Sequence, residues 1–293
     1  MIQILNNQKI NLRNILIILI ALMPVSLMIG SAVINSFIII IDLIFIIILI
    51  IEKKFDFLNK KTFYLLLFLW IFLIINMLMS SEIENSISRS IGFFRYIIFI
   101  FAIKFVLNKN KKDDKIIFIS WLILFLIVSL DIIFESIFGF NTLGFNNNLP
   151  GRISSFLNDE LKIGNYYFGF ILLALSLIFY NYNKNYLFFL SLISFILIAF
   201  LTGERSNFIK IFIVTTFFFF IADKTNIFKK FFTILILFFF SFLIISQNIN
   251  YKDRFLTQTF VTFSKQNYSI INYLKISPYG AHYDAAIKIF KSN

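Results

Sequence analysis

Arginine is the residue type in this chain that is best suited to binding a phosphate group. The chain has six arginines, and only Arg13 lies beside the lysine-rich segments that carry most of the positive charge. Arg95 falls inside an apolar run, and Arg205 lies in the short turn Thr-Gly-Glu-Arg-Ser between two apolar runs. A guanidinium keeps its charge and can hold a phosphate through two parallel hydrogen bonds. Arg89 and Arg254 are expected to be solvated loop charges.

A second group of ionisable residues lies in the polar segment 150–165. Arg152, Asp159, Glu160 and Lys162 stand there between two glycines, close to the start of an apolar run. Such a group can bind an anion and polarise a hydroxyl. Either carboxylate could equally be a charge at the N-terminus of the following helix. We therefore predict Arg152 and Lys162 as substrate-binding residues and the two acids as candidate bases.

His282 is the only histidine and lies at the start of a short segment with helical periodicity, 281–291. Imidazole has a pKa of about 6.5 when unperturbed, which suits it to accepting a proton from a hydroxyl. We predict a catalytic role for His282, and the alternative is an ordinary surface position on an amphipathic helix.

The composition indicates the class of protein that positions these residues. Hydrophobic residues make up 59% of the chain and charged residues 14%, with a mean hydropathy of +0.88. A soluble domain would have roughly 25% charged residues. Apolar runs of about 18 residues or more recur, and such runs are long enough to cross a bilayer. The predicted fold is all-α, a polytopic bundle of membrane-spanning helices.

Nine spans are predicted, and their order gives the orientation. They lie near 14–31, 34–51, 62–79, 91–107, 116–134, 166–181, 186–201, 207–222 and 231–247. The lysine-rich segments 53–61, 109–115 and 224–230 fall on one side of this arrangement, together with the N-terminus. By the positive-inside rule that side is the cytoplasm. The localisation expected from this is the bacterial inner membrane, with the candidate residues on the periplasmic face.

The same pattern suggests three regions. Residues 1–134 form N-terminal transmembrane helices, 135–247 form a transmembrane core with a periplasmic loop at 135–165, and 248–293 form a periplasmic segment. That last segment ends abruptly after its amphipathic helix, so we expect the chain to be C-terminally incomplete, with later spans missing.

Several classes of site are excluded. The chain has no cysteine and one histidine, so thiolate chemistry and a multi-histidine metal site are ruled out. The net charge of +12 comes largely from lysines in short loops between spans, where they set topology. We expect no metal, no cofactor and no nucleic-acid partner.

Three segments resemble motifs of the O-antigen ligase and O-antigen polymerase superfamily, in the family's order. The first is 151–156, Gly-Arg-Ile-Ser-Ser-Phe, followed by Gly-Asn-Tyr at 164–166. The second is the turn 201–206, with Glu where the family more often has Ser. The third is His-Tyr at 282–283, followed by Ala-Ile-Lys-Ile-Phe-Lys at 286–291. The resemblance covers the chain from about residue 90 onward.

This resemblance implies a glycosyltransferase that needs neither metal nor nucleotide. Its donor would be a glycan on undecaprenyl diphosphate, and its acceptor would be lipid A–core or another glycan, both presented with membrane lipid. Arg152 and Arg205, with Arg95, would hold the diphosphate. His282 would orient or deprotonate the acceptor hydroxyl, with Asp159 or Glu160 as the alternative base. The histidine segment is closer to the ligase branch than to the polymerases.

Other functions remain open at this point. A flippase or transporter would be expected to break its spans with glycine and proline, but the chain has nine glycines and three prolines, mostly in loops or at span ends. A different polyprenyl-phosphate glycosyltransferase would carry an acidic pair in its first external loop, and the segment 31–35 has no carboxylate. A non-catalytic membrane protein would leave the external arginines unexplained.

Overall fold

The computed structural model describes residues 2–53, 55, 60–80, 83–107, 111–145, 149–157, 162–181, 185–222, 227–258, 260 and 278–292. Every regular element within these ranges is helical, as the composition predicts. The α-helices are α1 Ile2–Ala21, α2 Met23–Ile29, α3 Ser31–Glu52, α4 Lys61–Leu78, α5 Ile83–Gly92, α6 Phe94–Leu107, α7 Lys111–Phe138, α8 Ile163–Asn181, α9 Asn185–Leu201, α10 Arg205–Ala222, α11 Ile227–Gln247, α12 Ile249–Lys252 and α13 Pro278–Ser292. A 3₁₀ turn covers Ser155–Leu157, and a π-helix covers Asp253–Thr257.

The prediction of nine spans is wrong for the part of the chain that the structure describes. Six helical segments are long and apolar enough to cross a membrane, or seven if a bent pair counts as one span. The six are Ser31–Glu52, Lys61–Leu78, Ile83–Leu107, Lys111–Phe138, Ile163–Tyr180 and Lys230–Gln247. They match six of the predicted runs and establish a helical, multi-pass membrane protein.

The first predicted span is the bent pair. Leu12–Ala21 and Met23–Ile29 meet at an angle of 53°. Pro24 lies in the first turn of α2, where its fixed φ and missing N–H are tolerated but would interrupt a continuous helix. The break therefore coincides with one of the three prolines of the chain.

The two other differences concern α9 and α10. Helix α9 has 17 residues, which gives a length of about 26 Å, less than the hydrocarbon thickness of about 30 Å. Helix α10 carries Arg205, Asn207 and Lys210 in its first six positions, so only its later part is continuously apolar. Hydropathy alone did not separate these two helices from spans.

The chain divides into two compact units, Met1–Val128 and Ser129–Asn293, with the boundary inside α7. In the first unit α3 packs against α1, α2 and α6 around a core that includes Ile41, Phe45 and Phe101. Arg95 of α6 donates from Nη2 to Oδ1 of Asn35 in α3 at 2.9 Å, which joins these two helices by a polar contact.

In the second unit α8 packs against α9 and α10, and α9 also contacts α11. Tyr167 of α8 is fully buried, and its hydroxyl accepts a hydrogen bond from Ser129 at 3.2 Å. Phe200, at the end of α9, is buried against the ring of Phe255. This packing brings the ends of α7, α9 and α11 and the start of α8 around one set of polar residues.

Candidate functional site

The segment 149–157 is anchored to the last turns of α7 by two buried carboxylates. Glu135 accepts hydrogen bonds from the backbone N–H of Ser154, at 3.2 Å, and from that of Ser155, at 2.6 Å. One helical turn earlier, Asp131 accepts a hydrogen bond from the Ser155 hydroxyl at 2.6 Å. Hydrogen bonds such as these satisfy the buried carboxyl oxygens and fix the backbone of the segment. They hold Ser155 at a φ of +49°, a conformation that costs a non-glycine residue energy and needs such support.

The loop that precedes the segment 149–157 is also tied to the Asp131 carboxylate. Both the backbone N–H and the hydroxyl of Thr142 donate to Asp131, at 2.9 and 2.6 Å. The Asn141 side chain donates to the carbonyl oxygen of Ser155 at 2.7 Å and is itself fully buried. Asp131 thus accepts hydrogen bonds from two loop segments that are distant in sequence, and it fixes their spacing.

The turn between α9 and α10 meets the segment that carries Arg152. The backbone N–H of Ile153 donates to the carbonyl oxygen of Thr202 at 3.2 Å. Gly151 and Gly203 both have positive φ, +72° and +68°. A Cβ on Gly203 would collide with the carbonyl oxygen of Gly151. Two of the three motif segments identified in the sequence are therefore in direct backbone contact.

Glu204 connects this turn to the start of α8. Its Oε1 accepts a hydrogen bond from the backbone N–H of Gly164 at 2.8 Å, and its Oε2 accepts one from the side chain of Asn207. The carboxylate is 6% exposed. It lies at a helix N-terminus, where the first N–H groups have no partner within the helix and a negative charge is favoured. Glutamate at this position therefore has a structural role, holding α8 against α10.

A third segment, from Asn248 to Thr257, packs onto the same turn. The Tyr251 hydroxyl donates to the carbonyl oxygen of Leu201 at 2.6 Å, and Arg254 Nε donates to that of Gly203 at 2.5 Å. The Phe255 ring stacks on Phe200, with centroids 4.4 Å apart. Arg254 and Phe255 belong to the π-helix, an element that often occurs at functional sites.

A cavity of about 290 Å³ lies between the end of α7, the segment 149–153 and the segment 248–251. Its wall combines one guanidinium, one carboxylate, a phenol and two amide side chains with backbone and apolar groups. The lining residues are Glu135, Ser136, Gly139, Leu149, Pro150, Gly151, Arg152, Ile153, Asn248, Asn250 and Tyr251. Burial, and to a smaller extent the Glu135 carboxylate, raise the pKa of Tyr251 above its usual range. Its hydroxyl therefore stays protonated and acts as a hydrogen-bond donor rather than a base.

The predicted site residues are distributed unevenly around this cavity. Arg152 lines it. Arg205 is the first residue of α10 and follows Glu204 directly, but it is not among the lining residues. Lys162 is exposed just before α8. Asp159 and Glu160 lie outside the described residues, so their predicted role as bases stays a prediction.

His282 and Arg95 lie elsewhere in the described chain. His282 is exposed in α13, the helix predicted over 281–291, and it does not line the cavity. Arg95 belongs to the first unit, where it donates to Asn35 and to the Tyr96 hydroxyl. The functional roles assigned to both residues stay predictions.

Comparisons with known proteins add no assignment. No family model, no curated protein and no solved structure matches the chain. The resemblance to O-antigen ligases and polymerases therefore rests on the three motif segments alone.

Sequence reasoning missed four residues of this site: Asp131, Glu135, Tyr251 and Arg254. Asp131 and Glu135 were visible as acids within or beside an apolar run, and such residues are rare and usually functional in membrane helices. Arg254 was expected to be a solvated loop charge, but it is half-buried and donates to Gly203. Tyr251 gave no local signal, since its partner carbonyl lies 50 positions away in sequence.

Proposed function

We propose that this chain is an integral membrane glycosyltransferase of the O-antigen ligase type. It transfers a glycan from an undecaprenyl-diphosphate carrier to a hydroxyl of lipid A–core or of another glycan. The observation that carries the proposal is the direct contact between the segment of Arg152 and the turn 202–204. The two motifs that the resemblance assigns to diphosphate binding touch through their backbones, although the contacting residues Ile153 and Thr202 are 49 positions apart in sequence.

The reaction requires charge stabilisation more than bond-breaking assistance from a metal. The acceptor oxygen attacks the anomeric carbon of the donor sugar and forms the new glycosidic bond. The bond between that carbon and the diphosphate oxygen breaks, and the diphosphate leaves with the bonding electron pair. The proton of the acceptor hydroxyl passes to a base. Fixed positive groups next to the departing diphosphate lower the energy of this transition state.

Arg152, which lines the cavity, is the residue best placed for that task. Arg205 directly follows the turn 202–204, and Arg254 lies in the π-helix that packs on that turn. Nε of Arg254 donates to the carbonyl oxygen of Gly203. Gly203 in turn faces the backbone of Gly151, the residue before Arg152. Arg205 begins α10 directly after the buried Glu204. A cavity of about 290 Å³ is just below the usual size range of ligand sites, about 300–1,000 Å³. It therefore fits the diphosphate end of the donor, with the glycan extending outside it.

Glu135 acts as a positioning residue in this proposal. Both of its oxygens accept hydrogen bonds from the segment 154–155, and the carboxylate is 2% exposed. These contacts favour anchoring of the arginine segment over proton transfer. His282 remains the proposed base, with Asp159 and Glu160 as alternatives.

The proposed location is the bacterial inner membrane, with the N-terminus in the cytoplasm and the site on the periplasmic side. The lysine-rich segments support this orientation. Helices α9 and α10, which are not among the six segments long and apolar enough to span a membrane, are consecutive. Because they form a pair, the lysine-rich segments before and after them lie on the same side of the membrane whether both cross it or neither does.

The proposal is tested by complementation of a strain that lacks the gene. The strain receives the wild-type protein, His282→Ala, Arg152→Lys or, as a control, Arg89→Lys, which alters an exposed arginine. Lipopolysaccharide is then resolved on a gel. A ligase predicts loss of the long-chain ladder with accumulation of carrier-linked polymer in the first two variants, and a normal ladder in the control.

The other outcomes are equally informative. A core that carries a single repeat unit would identify the polymerase reaction instead, which uses the same donor and the same arginine chemistry. An unchanged ladder in the deletion strain would contradict both and favour transport or a different glycan.

A further inference from the structure

The C-terminal helix α13 is amphipathic over its whole described length. At 100° per residue, its apolar side chains cover slightly more than half of the circumference. They run in the order Ala285, Ile289, Ala286, Phe290, Tyr283 and Ile287. The charged residues Asp284, Lys288 and Lys291 occupy the opposite side. A helix with this division needs an apolar partner for one side and water for the other.

The apolar side of α13 is uncovered within the described chain. Tyr283 is 68% exposed, Ile287 53% and Phe290 85%. Soluble surfaces rarely leave large apolar side chains contiguous and this open. An apolar partner must therefore cover this side of the helix.

The charged side is organised for contact with water. Lys288 lies 2.7 Å from the Asp284 carboxylate, one helical turn earlier. The hydrogen bond that Lys288 donates to the Asp284 carboxylate raises the pKa of Lys288, so the lysine stays charged at neutral pH. Lys291 adds a second positive charge on the same side, and the side chains of both lysines are exposed.

The same unit of the protein already presents an apolar stripe of this kind along a membrane span. On α11, exposed aromatic and aliphatic residues recur every three or four positions, at Phe228, Phe231, Leu235, Phe238 and Phe242. Because Lys230–Gln247 is long and apolar enough to span a membrane, the hydrocarbon of the bilayer covers this stripe. The segment that carries α13 follows this span in the chain, so α13 is tethered to a helix that crosses the bilayer.

We propose that α13 lies along the surface of the bilayer that the chain spans. Its apolar half, with Phe290, Tyr283 and Ile287, is buried at the boundary between headgroups and acyl chains, and its charged side faces water. Aromatic and aliphatic residues opposite lysines are the composition of helices that lie in this plane.

This placement has a consequence for His282, which rests on the proposed function. His282 lies on the apolar half of α13, between Ile289 and Ala286 around the circumference. It would therefore be held at the depth of the lipid headgroups. The diphosphate and first sugar of a polyprenyl-linked donor occupy that same depth.

The natural chain contains no cysteine, so a single introduced cysteine reports on one position without background. Phe290→Cys and Lys288→Cys form a matched pair, two residues apart and on opposite sides of α13. Each variant of the full chain is labelled with a nitroxide and reconstituted in bilayer nanodiscs. Accessibility to oxygen, which concentrates in lipid, is compared with accessibility to a water-soluble nickel complex.

The expected result is a several-fold higher ratio of oxygen to nickel accessibility at 290 than at 288, with helical periodicity in a scan of 281–291. Equal nickel accessibility at both positions would overturn the proposal, because α13 would then be surrounded by water. Exclusion of both reagents at 290 would overturn it in favour of packing against protein. The readout does not depend on transfer activity, so the placement of α13 can hold or fail independently of the proposed function. An inactive His282→Ala variant with an unchanged accessibility pattern would show that the two are separate.

Discussion

Gly203 lies so close to the carbonyl oxygen of Gly151 that a side chain at Gly203 has no room. A Cβ on Gly151 would in turn lie 2.9 Å from the carbonyl oxygen of Asn250. Both glycines have positive φ, a region that other residues enter at a cost. The backbones of the segment 149–157, the turn 202–204 and the segment 248–257 thus meet beside Arg152 and Arg254. The site depends on this contact.

The first prediction concerns this contact. Gly203→Ala forces the turn 202–204 away from Gly151 and places alanine at an unfavourable φ. We expect a loss of more than about 1 kcal/mol of stability and loss of transfer activity, measured by unfolding in mixed micelles and by the lipopolysaccharide gel. The control is Gly169→Ala in α8, where a Cβ meets nothing within 4 Å. That change should leave stability equal or raise it by up to about 1 kcal/mol.

A second prediction concerns the anchoring of the arginine segment. Glu135→Gln replaces one of two acceptor oxygens by an N–H donor that faces a backbone N–H. An unsatisfied buried donor costs about 1–3 kcal/mol, so the segment 149–157 should detach locally. Hydrogen exchange of the Ser154 and Ser155 amides should become faster than in the wild type, while exchange in α3 stays unchanged. Unaltered exchange of these amides would remove the positioning role of Glu135.

Third, Gly164 and Glu204 should be energetically coupled. A Cβ on Gly164 would lie 2.8 Å from Oε2 of Glu204, so Gly164→Ala displaces the carboxylate that caps α8. In Glu204→Ala that carboxylate is absent, and the added methyl group keeps only the milder close contact with Cβ of Asn207 at 3.1 Å. The double variant should therefore be more stable than the sum of the single effects by about 0.5–3 kcal/mol, the range for residues in contact. Strict additivity in reversible unfolding would show that the two residues do not interact.

The fourth prediction separates charge from hydrogen-bonding geometry. Arg152→Lys and Arg254→Lys keep the positive charge but lose the planar pair of donors. Loss of one hydrogen bond to a charged group costs about 1.5–3 kcal/mol, which corresponds to roughly a 10- to 100-fold decrease in kcat/KM. The matched control is Arg89→Lys, an exposed position in α5, where the rate should not change. Full activity of both lysine variants would contradict diphosphate binding by a guanidinium fork.

Much of the fold could be predicted from hydropathy, because a span requires a long apolar run in one stretch of sequence. The prediction failed for α9 and α10, since a run of 17 residues or one that starts with Arg205 and Lys210 still scores as apolar. It also missed the break before Pro24, where the run continues but the helix does not.

The site was predictable only where a residue type was unusual in itself, as for Arg152. The roles of Asp131 and Glu135 could not be predicted, because their hydrogen-bond donors lie in loops more than ten positions away. Arg254 was misjudged for the same reason: its partner, the carbonyl oxygen of Gly203, is 51 positions away. Neither contact produces a periodic pattern in the sequence from which it could be predicted.

The anchoring of the Arg152 segment to α7 also links the cavity to the lipid. Helix α7 has 28 residues and is about 42 Å long, while the two carboxylates that hold the segment lie in its last two turns. The depth of the cavity relative to the headgroups is therefore set by how far α7 rises out of the hydrocarbon. Under the proposed function, hydrophobic mismatch is then expected to change the transfer rate: lipids with longer or shorter acyl chains would move the cavity relative to the proposed lipid-bound donor without altering any residue of the protein.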